Sequence, residues 1–188
     1  MRRVFCLYLM ALLCSLQVDA QADGLFKVYD NAFLNETNNK GFVVISAEGK
    51  SSSELKNSVI SILSTLFDHP DKVITTVGDN IIMVNAYDAN GFSESGINEY
   101  GDAYTNSYTY SYSLKIETKD GRLRINSPSF SKLIGTFHFL GKDRPLGIFG
   151  EEEFYKQLKK CKAETKVENL INTYINKLVE GLANNDDW

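Results

Sequence analysis

Residues 104–124 read YTNSYTYSYSLKIETKDGRLR, and this stretch decides the fold. Tyr104, Tyr108, Tyr110, Tyr112, Leu114 and Ile116 share one parity, while Thr105, Ser107, Thr109, Ser111, Ser113, Lys115 and Glu117 share the other. Successive side chains of a strand point to opposite faces, so the alternation predicts a long strand with one apolar and one polar face. Lys119-Asp120-Gly121-Arg122 then reverses the chain. A two-residue Asp-Gly loop sets the register of its hairpin, which places Ile116 opposite Ile125 on one face and Glu117 opposite Arg124 on the other.

Before this hairpin, Gly41 to Glu48 is an apolar run of strand length. Ser51-x-x-Glu54 follows as a capping box, in which hydroxyl and carboxylate satisfy each other's backbone donors at a helix start. Leu55, Val59, Ile62, Leu63, Leu66 and Phe67 recur at helical spacing, and Asp68-His69-Pro70-Asp71 ends the helix. Lys72 to Val77 and Ile81 to Ala89 predict two antiparallel strands joined at Gly78-Asp79-Asn80. Asn90 to Ala103 has no periodicity and predicts a long loop, mobile or functional.

After the hairpin, Asn126 to Gly150, with Pro128, Pro145 and several glycines, predicts a second loop. Glu151 to Glu153 then sit where a helix macrodipole favours acid. From Phe154 to Leu182 an apolar stripe at helical spacing predicts one closing helix, with a break near Cys161 to Ala163 left open. Strand, helix, hairpin, long hairpin and helix make an α+β domain: a twisted antiparallel sheet with helices on one face and the other face at least partly open.

The chain begins Met1-Arg2-Arg3, continues with an apolar core from Val4 to Leu16, and reaches Ala20-Gln21-Ala22, the pattern of a secretory signal peptide over residues 1–22. Cleavage is expected after Ala22, with Ala20 the second choice, leaving residues 23–188 as one domain. The apolar run is shorter than the roughly 20 residues a membrane-spanning helix needs. Cys14 lies inside that core after Leu12-Leu13, which argues against lipidation there. Cys6 and Cys14 would leave with the leader, so Cys161 has no partner for an internal disulfide. Without Arg2, Arg3 and Asp19, 18 basic stand against 23 acidic residues, a net charge of −5. That balance argues against nucleic acid and anionic membranes, which are bound through excess Lys and Arg.

Gly49-Lys50-Ser51-x-x-Glu54-Leu55, together with Ser113-Leu114-Lys115-Ile116-x-x-Lys119-Asp120-Gly121-Arg122-x-Arg124, resembles a bacterial family of exported domains of unknown function with a TATA-binding-protein-like fold. The likeness spans about residues 41–128, followed by a helical part at 151–183. Ile62-Leu63 stands where the family carries a tryptophan in its first helix. The resemblance implies fold and export, and brings no catalytic residue.

Candidate chemistry is sparse. His69 and His138 are the only histidines, in no HxH or HxxxH spacing, so no metal is expected and His69 reads as part of a solvated turn. Cys161 stands among Lys159, Lys160 and Lys162, which would lower a thiol's pKa, but no base is evident and a passive cysteine is expected. No G-x-S-x-G occurs, and no cofactor is expected. The tyrosine row is expected in the core, with stacking on sugars or bases as the alternative. Arg122 and Arg124 offer an anion grip, against a default pairing with Glu117.

The leading functional expectation is a non-enzymatic interaction domain, secreted or periplasmic, whose polar face binds an envelope protein or glycan. The face comprises Thr109, Ser111, Ser113, Lys115, Glu117, Arg122 and Arg124, with Thr105 and Ser107 continuing it, unless the segment before Gly41 covers it. The rival is a secreted hydrolase with its site in 90–103 and 126–150. Clustering of an acid, a histidine and a hydroxyl at one pocket would favour the rival.

Overall fold

In the computed structural model, which describes residues 20–184, β7 (Ala103–Lys119) is the spine of an eight-stranded antiparallel sheet. Its buried positions from Tyr108 to Ile116 alternate with half-buried polar ones, as the parity predicts. It turns at Asp120-Gly121 into β8 (Arg122–Asn126), with Ile116 opposite Ile125 and Glu117 opposite Arg124. β8 pairs with β4 (Phe42–Ser46), and β4 with β1 (Gln21–Ala22).

Along its other edge β7 pairs with β6 (Ile81–Ile97), which pairs in turn with β5 (Ile74–Val77). The predicted loop 90–103 is therefore mostly strand. A bulge between Asp88 and Phe92 interrupts the ladder, and Gly91 makes it possible, since a Cβ there would lie 1.7 Å from the Tyr108 carbonyl oxygen. The predicted loop 126–150 is likewise a hairpin of β9 (Ser129–Phe139) and β10 (Lys142–Phe149). β9 takes the β7 edge from Tyr104 to Ser113 and β8 takes it from Ile116 to Lys119, so the sheet forks.

The capping box forms as expected at α1 (Ser52–Ser64). Ser52 also donates its N–H to Asp120 of the hairpin turn, at 2.8 Å, which pins the helix start to the sheet. His69 precedes a single helical turn, α2 (Pro70–Val73), so the strand expected from Lys72 starts at Ile74. The closing stripe is two helices, α3 (Glu151–Lys160) and α4 (Glu164–Ala183), divided at Cys161–Ala163. Gly181 lets α1 and α4 approach closely, because a Cβ there would stand 2.6 Å from Ile62.

The core lies between helices and sheet. Phe130 of β9 stacks on Phe154 of α3 at 3.8 Å, and Tyr110 meets Phe154 edge-on at 5.2 Å. The segment before Gly41 does not cover the open face. Its strands β2 (Phe26–Tyr29) and β3 (Ala32–Asn35) form a hairpin on the helix side, where Phe33 packs on Phe130 and Tyr155. Asn172 of α4 binds both backbone groups of Phe26, accepting from its N–H and donating to its carbonyl at 2.9 Å each.

Residues 1–19 of the expected leader lie outside the described residues. Of its last three, Ala20 is buried, and Gln21 and Ala22 pair with Ser46 and Ile45. Cleavage after Ala20 keeps this strand, and cleavage after Ala22 removes it. Among the described residues no helix is long and apolar enough to cross a membrane.

Candidate functional site

The face opposite the helices carries every residue of the predicted interaction set, because β7 and β8 present them at one parity. At the β8 end this face hollows into a cleft of about 630 Å³, lined by Phe42, Val44, Glu117, Lys119, Arg122 and Arg124 among others. The Arg124 guanidinium lies 4.6 Å from the centre of the Phe42 ring, and Lys40 approaches the same ring at 5.5 Å.

The expected pairing of Arg122 and Arg124 with Glu117 does not form. Glu117 binds Lys115 at 2.7 Å and accepts from Asn126 at 3.2 Å, while Arg124 donates to Asn126 at 3.1 Å. Lys115, then Asn126, holds the Glu117 carboxyl below the usual range, with Arg124 adding to the effect. Arg122 has no ion pair among the described residues. Two guanidinium groups, one stacked and one unpaired, therefore face a concave surface.

Toward the other end of β7 the face is lined by hydroxyls. Ser113 donates to Asn85 at 2.7 Å, Tyr87 donates to Thr109 at 2.7 Å, and Ser95 and Thr105 share a hydrogen bond of 2.9 Å. Beyond them Ser107 Oγ stands 2.6 Å from His138 Nε2, and His138 Nδ1 stands 2.6 Å from Asp143 Oδ1. Sequence reading missed this constellation. His138 and Asp143 fall in the segment taken for a loop, and only a hairpin turning at Leu140-Gly141 brings them opposite each other.

Of the tyrosines on the buried parity, Tyr108, Tyr110 and Tyr112 belong to the core as expected, whereas Tyr104 lies beyond the helices and is only half-buried. Tyr110 is fully buried, and burial reinforced by Asp88 holds its phenol well above the ordinary range. Tyr112 hydrogen-bonds Tyr174 and is shifted upward by burial in the same way. Cys161 is half-buried, and burial pushes its thiol up to about 11, with Glu94 adding to the rise and Lys160 opposing it. That shift suppresses the thiolate, the opposite of what a nucleophile needs. Among the described residues no group of three His, Cys, Asp or Glu is placed to hold a metal ion.

No family model matches the sequence, and no curated protein matches it. Among solved structures the chain is similar to a TBP-like protein from Parabacteroides distasonis, at 13% identity and TM-score 0.41 over 73% of this chain and 90% of that one. It is also similar to a DUF4468 family protein from Bacteroides ovatus, at 9% identity and TM-score 0.46 over 88% of this chain and 95% of that one. Both are likenesses at low identity; the antiparallel α+β sheet expected from the sequence is the one this chain forms.

Proposed function

We propose that this chain is an exported binding module of the bacterial envelope whose open sheet face takes an anionic chain, an acidic polypeptide or acidic glycan, at the Phe42 cleft. The observation that carries the reading is the cleft itself, where Arg122 and Arg124 stand without carboxylate partners beside Glu117, which Lys115 already neutralises. A guanidinium fork matches carboxylate geometry, and a cation stacked on an aromatic ring is held ready for it. Phe42 adds an apolar surface for a sugar face or a side chain. Export rests on the leader pattern of residues 1–22.

Nucleic acid is not the expected partner. A sheet that grips duplex DNA needs apolar wedges and a broad basic surface, and this face is rich in hydroxyls in a protein of net negative charge. Titration with polyglutamate and with polygalacturonate should give saturable binding that weakens with salt and is lost in Arg122→Ala/Arg124→Ala. The ligand class that binds more tightly identifies the partner. Affinity of the double variant for either polymer equal to that of the unsubstituted protein, or tighter binding of duplex DNA, would overturn the assignment.

A further inference from the structure

We propose that Ser107, His138 and Asp143 form a proton relay that makes the Ser107 hydroxyl a nucleophile toward carboxylic esters. This activity is separate from the Phe42 cleft, since Ser107 and Glu117 stand ten residues apart along β7, on the order of 30 Å. The partners at the two distances of 2.6 Å assign the roles, because a carboxylate can only accept. The ionised Asp143 accepts from His138 Nδ1–H, which leaves the Nε2 lone pair to accept from Ser107 Oγ–H. A general base needs that tautomer, and such a constellation is recognised by geometry and roles, not by order in the chain.

Three adjacent strands hold the groups. His138 pairs with Asp143 on β10 and with Thr105 on β7, so Ser107 is its diagonal neighbour on the same face. A slip of one residue in either pairing would send a member of the relay to the opposite face. His138 keeps 38% of its side chain exposed and Asp143 70%, so the relay opens to solvent and to a substrate.

The chemistry balances with water as the only co-reactant. As Ser107 Oγ bonds to the ester carbonyl carbon, its proton passes to Nε2 and the carbonyl oxygen takes the negative charge. Collapse of this oxyanion breaks the bond to the alcohol oxygen, which leaves with the Nε2 proton. Water then attacks the acyl-serine and gives its proton to Nε2, which returns it to Ser107 as the acid departs.

Both β7 and β9 are paired on two sides here, so donors to the oxyanion must be side chains. Ser93 and Thr136 are the register partners of Ser107 on the flanking strands, and their hydroxyls make no hydrogen bond among the described residues. At about 5 Å between Cβ atoms they flank Ser107, within reach of an oxyanion formed at its Oγ. The surroundings also define the substrate class. Ser93 and Thr136 offer neutral hydroxyls, and Pro145, Ile134 and the exposed Ile148 add an apolar margin on the same face, which suits the O-acyl ester of a neutral sugar, its acyl group toward the apolar side, better than a charged ester.

A fluorophosphonate probe followed by peptide mapping tests the relay. Ser107 should be labelled in the native protein and unlabelled in the denatured protein and in Ser107→Ala. In His138→Gln the labelling rate should fall about 10²-fold, at the low end of what a general base supplies, with Asp143→Asn intermediate. Hydrolysis of 4-nitrophenyl acetate and of a peracetylated sugar should follow the same order, with circular dichroism confirming that each variant is folded. Absence of label at Ser107, or a folded His138→Gln that reacts at the unsubstituted rate, would overturn the proposal. Turnover of the nitrophenyl ester without the sugar ester would overturn the substrate class alone.

Discussion

β7 runs through two environments, and the contrast between them explains the molecule. From Tyr108 to Thr118 its helix-side face lies under α1, α3 and α4, where Tyr108, Tyr110, Tyr112, Leu114, Ile116 and Thr118 are all buried. From Ala103 to Ser107 the strand continues into an arm with β9, β10 and the end of β6, where neither face is buried. There Tyr104 and Phe137 contact each other at 5.9 Å and stay half-exposed, and Ile97, Tyr100 and Leu140 are 73%, 81% and 73% exposed. One half of the sheet is held by a dry aromatic core. The other is held by its own backbone ladder and few side-chain ties.

The sharpest way to break this comparison is to empty an aromatic site in each half. Tyr110→Ala should cost about 3–5 kcal/mol, because Phe92, Phe130 and Phe154 close around a fully buried ring. Phe137→Ala in the arm should cost under about 1 kcal/mol, and Thr109→Ala or Ser111→Ala on the polar face about 0.5 kcal/mol or less. Denaturant midpoints decide, and equal shifts for Tyr110 and Phe137 would dissolve the distinction between the halves.

Next in size is the tie between the N-terminal hairpin and α4. Asn172→Ala leaves the Phe26 N–H and carbonyl without partners in a buried setting, and should cost about 2–3 kcal/mol. A midpoint unchanged by this substitution would show that the hairpin contributes nothing to the covered half. Ser51→Ala should cost about 1 kcal/mol, the usual worth of a helix N-cap, since its hydroxyl accepts from the Glu54 N–H. Helical circular dichroism during thermal melting checks that value.

What could be read from the sequence follows the same division. The β7–β8 hairpin was legible to the residue, because a buried face enforces alternation and Asp120-Gly121 sets the register. Of the arm, the β7 stretch from Tyr104 was legible in the alternation, whereas β9, β10 and the end of β6 were not. β10 reads Lys-Asp-Arg-Pro-Leu-Gly from residue 142, combining the charge and proline that keep a sheet edge from pairing further, and in sequence those residues look like a loop. β6 hides its continuation behind the Gly91 bulge. The polar residues proposed as an interaction face were placed on one face by the β7–β8 alternation, whereas Phe42 and Lys40 come beside them only through the pairing of β4 with β8. Ser107, His138 and Asp143 lie on three strands, two of them unseen in sequence. A two-residue loop at Leu140-Gly141 was the one signal that placed His138 opposite Asp143.

The smallest expected effect concerns a polar tie from the arm to α3. Glu94 of β6 accepts from Lys160 at 2.7 Å and from Asn106 at 2.9 Å, and Lys160, then Asn106, holds its carboxyl below 4.5. A carboxyl with a depressed folded pKa contributes stability that is complete above the unfolded value and is lost as pH falls through the folded one. The tie should therefore be constant from neutral pH down to about 4.5 and weaken below it. Lys160→Ala should raise hydrogen exchange at Glu94, Ser95 and Asn106 a few-fold at neutral pH, equivalent to about 0.2–1 kcal/mol for a partly exposed pair, without changing Tyr110. Acidification below 4.5 should produce the same pattern in the unsubstituted protein and little further change in the variant. Exchange rising equally at Tyr110 would mean that the two halves open together, and the fork in the sheet would then have no energetic counterpart.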